Sequence, residues 1–404
     1  MRLLYIADGR SPIALNWISY FIRKEHEVHL VSSFPCQPID GLSSLTLIPV
    51  AFSRIYGQPE VRDGEQGKLL RRILPVALRT RVRQLVAPLT LQHSANALRD
   101  VIERIRPDLI HALRIPFEGM VASMAVRGKE KQAPLLISVW GNDFSLHAKS
   151  SIVLAYHTRQ ALQTCDALHT DCHRDMNLAN TLGFASTKPG IVLPGGGGVK
   201  MEVFYPLESG QQDIPNQRGV DKSPVMIIHP RGFRAYVRND TFFRGVPLVI
   251  KDNPNVRFVC TGMEGESQAQ MWVEQLGISK QVELLPAQSQ QEMAELFRHA
   301  QISLSITTHD GTPNTLLEAM ACGCFPIAGD IESLREWITP GENGMLVDPG
   351  DPKALAKAIQ SAIAQPELRW QARERNLKLV RERAEYEKSM HIADEFYRRL
   401  ISDP

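Results

Sequence analysis

Two carboxylates eight residues apart, Asp310 and Glu318, stand in the segment HDGTPNTLLEAMACG (309–323). The second is the stranger of the two, because Leu316, Leu317, Ala319, Met320 and Ala321 surround it. A carboxylate rarely goes fully inside a protein unless it is paired, and leaving one uncompensated costs several kcal/mol. ISLSIT (302–307) reads as a strand and His309-Asp310-Gly311 as the turn leaving it. Thr312-Pro313 reads as a helix start, with Thr312 as N-cap and Pro313 in the first helical position. Cys322-Gly323 reads as its end, Gly323 supplying the left-handed cap. The N-terminus of such a helix offers free N–H groups to an anion, Gly311 lets a ligand approach the backbone, and Thr315 offers a hydroxyl. Two acids flanking that site could clasp a polyol carrying a phosphate, one taking sugar hydroxyls and the other those of a ribose. A surface Glu on an amphipathic helix, with Asp310 as a turn residue, is the plainer reading, and pattern alone leaves both open.

The elements around this segment follow from short runs rich in Val, Ile and Leu. They occur at 3–7, 27–33, 45–50, 108–112, 135–140 and 167–170, and again at 225–230, 256–262, 282–287, 302–307 and 325–329. Continuous apolar strands separated by helical segments predict parallel sheets covered on both faces, and there are enough strands for two. Between the two sets lies YPLESGQQDIPNQRGVDKSP (205–224), polar and rich in Pro and Gly, which reads as a linker. The expected architecture is α/β, with two doubly wound Rossmann-like domains at 1–204 and 225–384 and ligands at strand C-termini. A last helix (385–404) carries an apolar face and could pack on its own domain or cross back to the first.

Composition excludes several classes. The chain has 404 residues, 43% hydrophobic and 22% charged, the profile of an ordinary globular protein of about two domains. A net charge of +2 gives no sign of a dedicated nucleic-acid binder. Six scattered cysteines, without CxxC pairs, predict reduced thiols and a cytoplasmic setting. Asp8 interrupts the apolar start after five residues, against a signal peptide, and no apolar run reaches the roughly 18 residues of a membrane span. The stretch 67–99 carries Lys68, Arg71, Arg72, Arg79, Arg81, Arg83 and Arg99 with no acid, interleaved with apolar residues. That pattern suits peripheral contact with an anionic inner membrane face, and equally a solvated helix or a basic acceptor cleft.

Other motifs lead nowhere. Gly195–Gly198 is not followed by Gly-Lys-Ser/Thr, and no GxGxxG follows the first strand, so the run reads as a flexible turn. His169 and His173 with Cys172 lack a zinc-site context, so no metal is expected.

The segment 310–330, D-GTPNTLL-E-AMACGCFPIAGD, resembles the signature of the family-4 retaining glycosyltransferases (glycosyl transferases group 1, GT-B fold): an acid, seven residues, then Glu. LREWITPGENGMLVDPGDPKALAKAI (334–359), the first loop, helix and strand at 7–33, and VLPGGGGVKMEVFYP (192–206) are similar to further passages of that family. The resemblance implies two domains facing a central cleft, the donor bound mainly by the second and the acceptor by the first. It implies transfer of a sugar from a UDP- or GDP-sugar to a glycan, lipid-linked or small-molecule acceptor, with no metal and no cofactor besides the co-substrate. The absence of any Asp-x-Asp agrees.

Roles carry over where positions match. Asp310, an Asp where Glu is usual, would meet donor-sugar hydroxyls, and Glu318 the ribose. Gly311, Thr312, Asn314, Thr315 and Leu316 would line the donor at the helix start. Arg231 fits the family's diphosphate-binding Arg, and Arg238, preferred over Arg234, stands in for its Lys. Gly9 would lie near the donor phosphate. LLISVWGNDF (135–144) resembles a passage usually written His-Gly-x-Asp, with Trp140 replacing the His. Asn142 and Asp143 become acceptor-side candidates, and His111 is either a third or a packed core histidine. A sugar-nucleotide-binding protein without transfer activity and a dinucleotide-dependent oxidoreductase are the rival readings.

Overall fold

The protein is seen here in a computed structural model, which describes residues 1–50, 76–128, 133–207 and 224–402, and side chains in 76–90 are outside that description. The chain divides into two compact units: Met1–Gly197 with Met390–Pro404, and Gly198–Ser389. Residues 198–204, assigned from sequence to the first domain, belong with the second unit. Most of the expected linker, and the basic stretch up to residue 75, fall outside the described residues.

The first unit begins with β1 (Arg2–Ala7), α1 (Pro12–Arg23), β2 (Glu27–Ser32), β3 (Ser44–Leu47) and α2 (Val76–Ile105). It continues with β4 (Leu109–Leu113), α3 (Met120–Val126), β5 (Leu135–Val139), α4 (Ile152–Thr164), β6 (Ala167–Thr170), α5 (His173–Leu182) and β7 (Gly190–Val192). Its strands are parallel, in the order β3-β2-β1-β4-β5-β6-β7. β4 and β5 are buried along their whole length, as expected of strands covered on both faces. α1 starts where Ser11 accepts the Ala14 N–H and Pro12 fits the first turn, and it buries Trp17, Ile18, Tyr20 and Phe21.

The second unit holds β8 (Val225–His229), α6 (Asn239–Asp252), β9 (Val256–Cys260), α7 (Ser267–Gln275), β10 (Val282–Leu284), α8 (Gln290–His299) and β11 (Ile302–Ser305). α9 (Asn314–Ala321), β12 (Phe325–Gly329), β13 (Met345–Val347), α10 (Pro352–Ala364) and α11 (Pro366–Arg383) follow. The parallel order is β10-β9-β8-β11-β12-β13. β7 and β13, three residues each at sheet edges, carry no periodic signal and escape the sequence reading. In each sheet the order reverses once, beside β1 and β4 in the first and β8 and β11 in the second. The loops leaving these strands flank the crevice where doubly wound sheets bind ligands.

The last helix, α12 (Tyr386–Ser402), belongs to the first unit from Met390 onward. Tyr397 stacks on Phe21 at 4.5 Å and takes part in a buried polar chain. His169 Nε2 lies 2.9 Å from the Leu193 carbonyl, which can only accept, so this nitrogen carries the proton. Burial holds His169 neutral, its pKa pushed down to about 4, so Nδ1 accepts from Ser138 Oγ at 2.8 Å. Ser138 Oγ in turn accepts from His111 Nε2 at 2.8 Å, leaving His111 Nδ1 to accept from the Tyr397 hydroxyl. That hydroxyl accepts from Trp17 Nε1 at 2.8 Å and Tyr5 at 3.3 Å. One carbonyl thus orients every proton from β6 to α12.

Candidate active site

In the second unit the loop after β8 and the loop after β11 meet through an ion pair. Arg231 Nη1 bonds Asp310 Oδ2, and Arg231 Nη2 donates to the Tyr236 hydroxyl at 3.2 Å. Residues 236–238 run along the end of β11, with Thr308 N–H bonded to the Tyr236 carbonyl and Arg238 N–H to that of Ile306. This pairing brings the loop carrying Arg231 against the turn carrying Asp310. The turn is held from below, since Ser333 Oγ donates to the Asp310 carbonyl at 2.7 Å and Gly311 N–H bonds Asp310 Oδ1 at 3.2 Å. Gly232 is needed because a Cβ there would stand 2.7 Å from the Gly262 carbonyl oxygen.

The helix begins one residue later than its sequence suggests. Pro313, extended at φ −68° and ψ 121°, is the N-cap of α9, and Asn314 the first helical residue. Thr312 does not cap it: its Oγ1 accepts the buried indole N–H of Trp337 at 3.0 Å. A buried indole needs an acceptor, and Thr312 is the one within reach. Its N-cap Pro313 makes no side-chain cap bond, so among the described residues the first-turn N–H groups of Asn314 and Thr315 are left for water or a ligand. Leu316 is a core residue. The C-terminus ends as expected, with Gly323 at φ +93° and N–H bonds from Gly323 to Met320 and from Cys324 to Ala319.

Glu318 answers the oddity of its apolar setting. Its neighbours Leu317, Ala319 and Met320 are fully buried, while Glu318 itself keeps some exposure. Among the described residues its carboxyl has no hydrogen-bond partner, and burial alone pushes its pKa up to about 7. This is no solvated surface Glu, and no described cation neutralises it. Arg238 pairs with Asp240 through both Nε and Nη2 at 2.8 Å at the start of α6. Among the described residues no bond links it to the Arg231–Asp310 pair, and Arg234 is exposed.

In the first unit a pocket of about 230 Å³ opens at the switch point, lined by Asp8, Arg10, Phe34, Arg114, Glu118 and Trp140 among others. Gly9 beside it is required by the protein itself, since a Cβ there would collide with Cys36 Sγ. Arg10 pairs with Asp8 at 3.0 Å and lies 3.7 Å over the Phe34 ring. Arg114 and Phe117 have φ of 117° and 71°, strained for residues with a Cβ. Arg114 Nε bonds Asp143 at 2.9 Å and its Nη2 reaches Asn142 at 3.4 Å. Asp143 is wholly buried, and its other oxygen accepts the Trp140 N–H. It shapes the turn that presents Trp140 and is closed to an acceptor. His111 likewise belongs to the core, both its nitrogens spent in the polar chain. Gly195–Gly197 of the glycine run are buried, with Asn16 Nδ2 on the Gly196 carbonyl at 2.6 Å and Gly195 packed on the Trp140 ring.

Arg114 and Glu118 escaped the sequence reading. Their signal was the one that exposed Glu318, charges inside an apolar run, here HALRIPFEGMVA (111–122). Glu118 is buried and accepts from Ser33 Oγ. Among the described residues Asp171, Cys172 and Asp175 form one cluster of possible metal ligands, all buried. The Arg174 guanidinium already bonds Asp175 at 2.8 Å and the Gly141 carbonyl at 2.6 Å, so a cation occupies that ground.

Known proteins share this architecture. Residues 2–171 match the family described as "Glycosyl transferase 4-like" and residues 210–379 that described as "Glycosyl transferases group 1". The chain is 27% identical over 282 residues to the putative glycosyltransferase EpsD of Bacillus subtilis (strain 168), a match over 67% of this chain and 71% of that one. It spans about half the length of several other curated relatives it matches. Sucrose-phosphate synthase from Thermosynechococcus elongatus superposes with a TM-score of 0.74 at 14% identity, covering 100% of both chains. HepE of Anabaena, solved in complex with UDP, gives 0.72 at 14% identity over 98% of this chain and 99% of that one. The helix N-terminus with its two acids, the paired parallel sheets and the matches to both units together place the chain in the group 1 glycosyltransferases of GT-B fold.

Proposed function

We propose that the protein transfers a glycosyl group, with retention of anomeric configuration and without a metal, from a UDP- or GDP-sugar to a sugar-bearing or small-molecule acceptor. The observation that carries this reading is Glu318, a desolvated carboxyl with no described protein partner, on the helix whose uncapped start adjoins Asp310 and Arg231. Ribose hydroxyls would give Glu318 the donors it lacks. The diphosphate would lie against the first-turn N–H groups of α9, drawing Arg231 from Asp310 and freeing that acid for sugar hydroxyls. The bond from anomeric carbon to phosphate oxygen breaks, and its electron pair stays on the diphosphate, where Arg231 and the helix dipole stabilise it. The acceptor oxygen bonds the anomeric carbon and its proton passes to the departing phosphate, so no separate base is required. That HepE was solved with UDP supports a nucleoside diphosphate as the ligand type.

The acceptor belongs, on this reading, to the pocket of the first unit. Its aromatic faces and prepaired charges suit a polyhydroxylated ring. Thermal unfolding with UDP, GDP, ADP and NAD in separate wells tests the donor. At about a hundred times the dissociation constant a ligand stabilises by roughly 2.7 kcal/mol, a shift of several degrees. A shift with one sugar-carrier diphosphate that disappears in Glu318→Ala supports the assignment. A shift with NAD alone, or with none, defeats it.

A further inference from the structure

The segment leaving the acceptor-side pocket at His147 turns outward and starts α4 at Ile152, with Ser151 as its N-cap bonded to the Leu154 N–H. Three large apolar side chains stand on this start: Ile152 is 90% exposed, Val153 46% and Tyr156 56%. Exposed apolar residues scattered singly need no explanation, but these are three within five residues on one helical turn and the next. Leu154 and Thr158, on the other side of the same helix, are buried, so the helix is anchored by its inner face and the apolar tip is not a misfit of the core. Ala155 adds a further exposed apolar position.

The sequence that forms the tip carries charge of one sign. From Phe144 to Cys165 the sequence contains no Asp or Glu, while Lys149 and Arg159 flank the apolar residues. A water-facing helix would ordinarily mix both signs with its polar residues. Apolar anchors rimmed by cations and free of acids match the chemistry of an anionic lipid surface, whose headgroups take the ammonium and guanidinium groups while the apolar side chains enter the acyl boundary.

We infer that the N-terminal turn of α4, with Ile152, Val153 and Tyr156 at its tip and Lys149 and Arg159 at its rim, seats the first unit on an anionic membrane surface. This contact lies in the described part of the chain and is separate from the basic stretch at 67–99. It sets the pocket rim at His147 a few residues from the lipid, suited to an acceptor carried on a membrane anchor. No helix among the described residues is long and apolar enough to cross a membrane, so the seat is interfacial.

The test is sedimentation of the full chain with vesicles of phosphatidylcholine, with and without phosphatidylglycerol, at low and high salt. Binding that requires the anionic lipid and weakens with salt is expected. The double variant Ile152→Ser/Tyr156→Ser, at exposed positions, keeps its unfolding midpoint and loses roughly tenfold in binding. An Ile152→Trp variant gains a blue-shifted component of its emission on the anionic vesicles, relative to the wild-type chain. Failure of the wild-type chain to bind them, undiminished binding of the double variant, or the absence of that blue shift overturns the inference. So does a dimer in solution that the double variant dissolves, which would make the tip a contact between copies.

Discussion

The polar chain from β6 to α12 in the first unit and helix α9 of the second treat their polar groups in opposite ways. From Tyr5 through Tyr397, His111, Ser138 and His169 to the Leu193 carbonyl, each buried donor meets an acceptor, and the direction of the chain admits no alternative. In the second unit Glu318 is only partly buried, and among the described residues no group donates to it. A satisfied network rigidifies, whereas an unsatisfied carboxyl is a standing cost that a ligand can remove. The difference separates residues that hold the fold from the residue that, on the proposed reading, takes the ribose. It also explains why His111, so suggestive at the end of a strand, belongs to the first group.

The comparison can be broken most severely at its open end. Glu318→Ala should lower donor turnover by roughly a hundredfold or more while leaving the unfolding midpoint unchanged or raised, measured by steady-state kinetics beside thermal unfolding. Comparable turnover in the variant would end its role with the donor. At the closed end, Tyr397→Phe strands the Trp17 indole N–H and His111 Nδ1. A loss of about 2–3 kcal/mol in urea unfolding is expected, and a neutral result would show that the chain is not continuous.

Proton linkage distinguishes the two ends more finely. Glu318 has its pKa raised in the folded state, from 4.5 to about 7, so the folded protein holds the extra proton between these values. Stability from this group is complete below pH 4.5 and is lost as pH rises through 7, by about 2 kcal/mol for a carboxyl still partly open to water. The Glu318→Gln variant should lack this loss, so the stability gap between variant and wild type widens from about pH 5 to about pH 8. A constant gap would mean the carboxyl is solvated. The smallest effect is expected at Ser333→Ala, which frees the Asp310 carbonyl at a cost of about 1 kcal/mol and a modest rise in donor KM. An unchanged KM would show that the turn holds its shape unaided.

Much of this was legible in the chain. Apolar runs located eleven of the thirteen strands among the described residues, because a strand buried on both faces must be apolar throughout. Gly323 marked the end of α9, because only glycine accepts that backbone angle without strain. Glu318 declared itself by type against its neighbours, as Arg114 and Glu118 would have done under the same scrutiny. Pairing was another matter. Thr312 turned from helix cap to partner of Trp337, Arg238 found a partner in Asp240 that the sequence did not name, and Asp143 turned from acceptor candidate to the inner support of Arg114. A polar side chain has several chemically equal partners along a sequence, and only packing, by bringing one within hydrogen-bond distance and excluding water from the rest, selects among them. Residue type and spacing therefore named the groups capable of chemistry, and the folded interior determined which of them were left free to perform it.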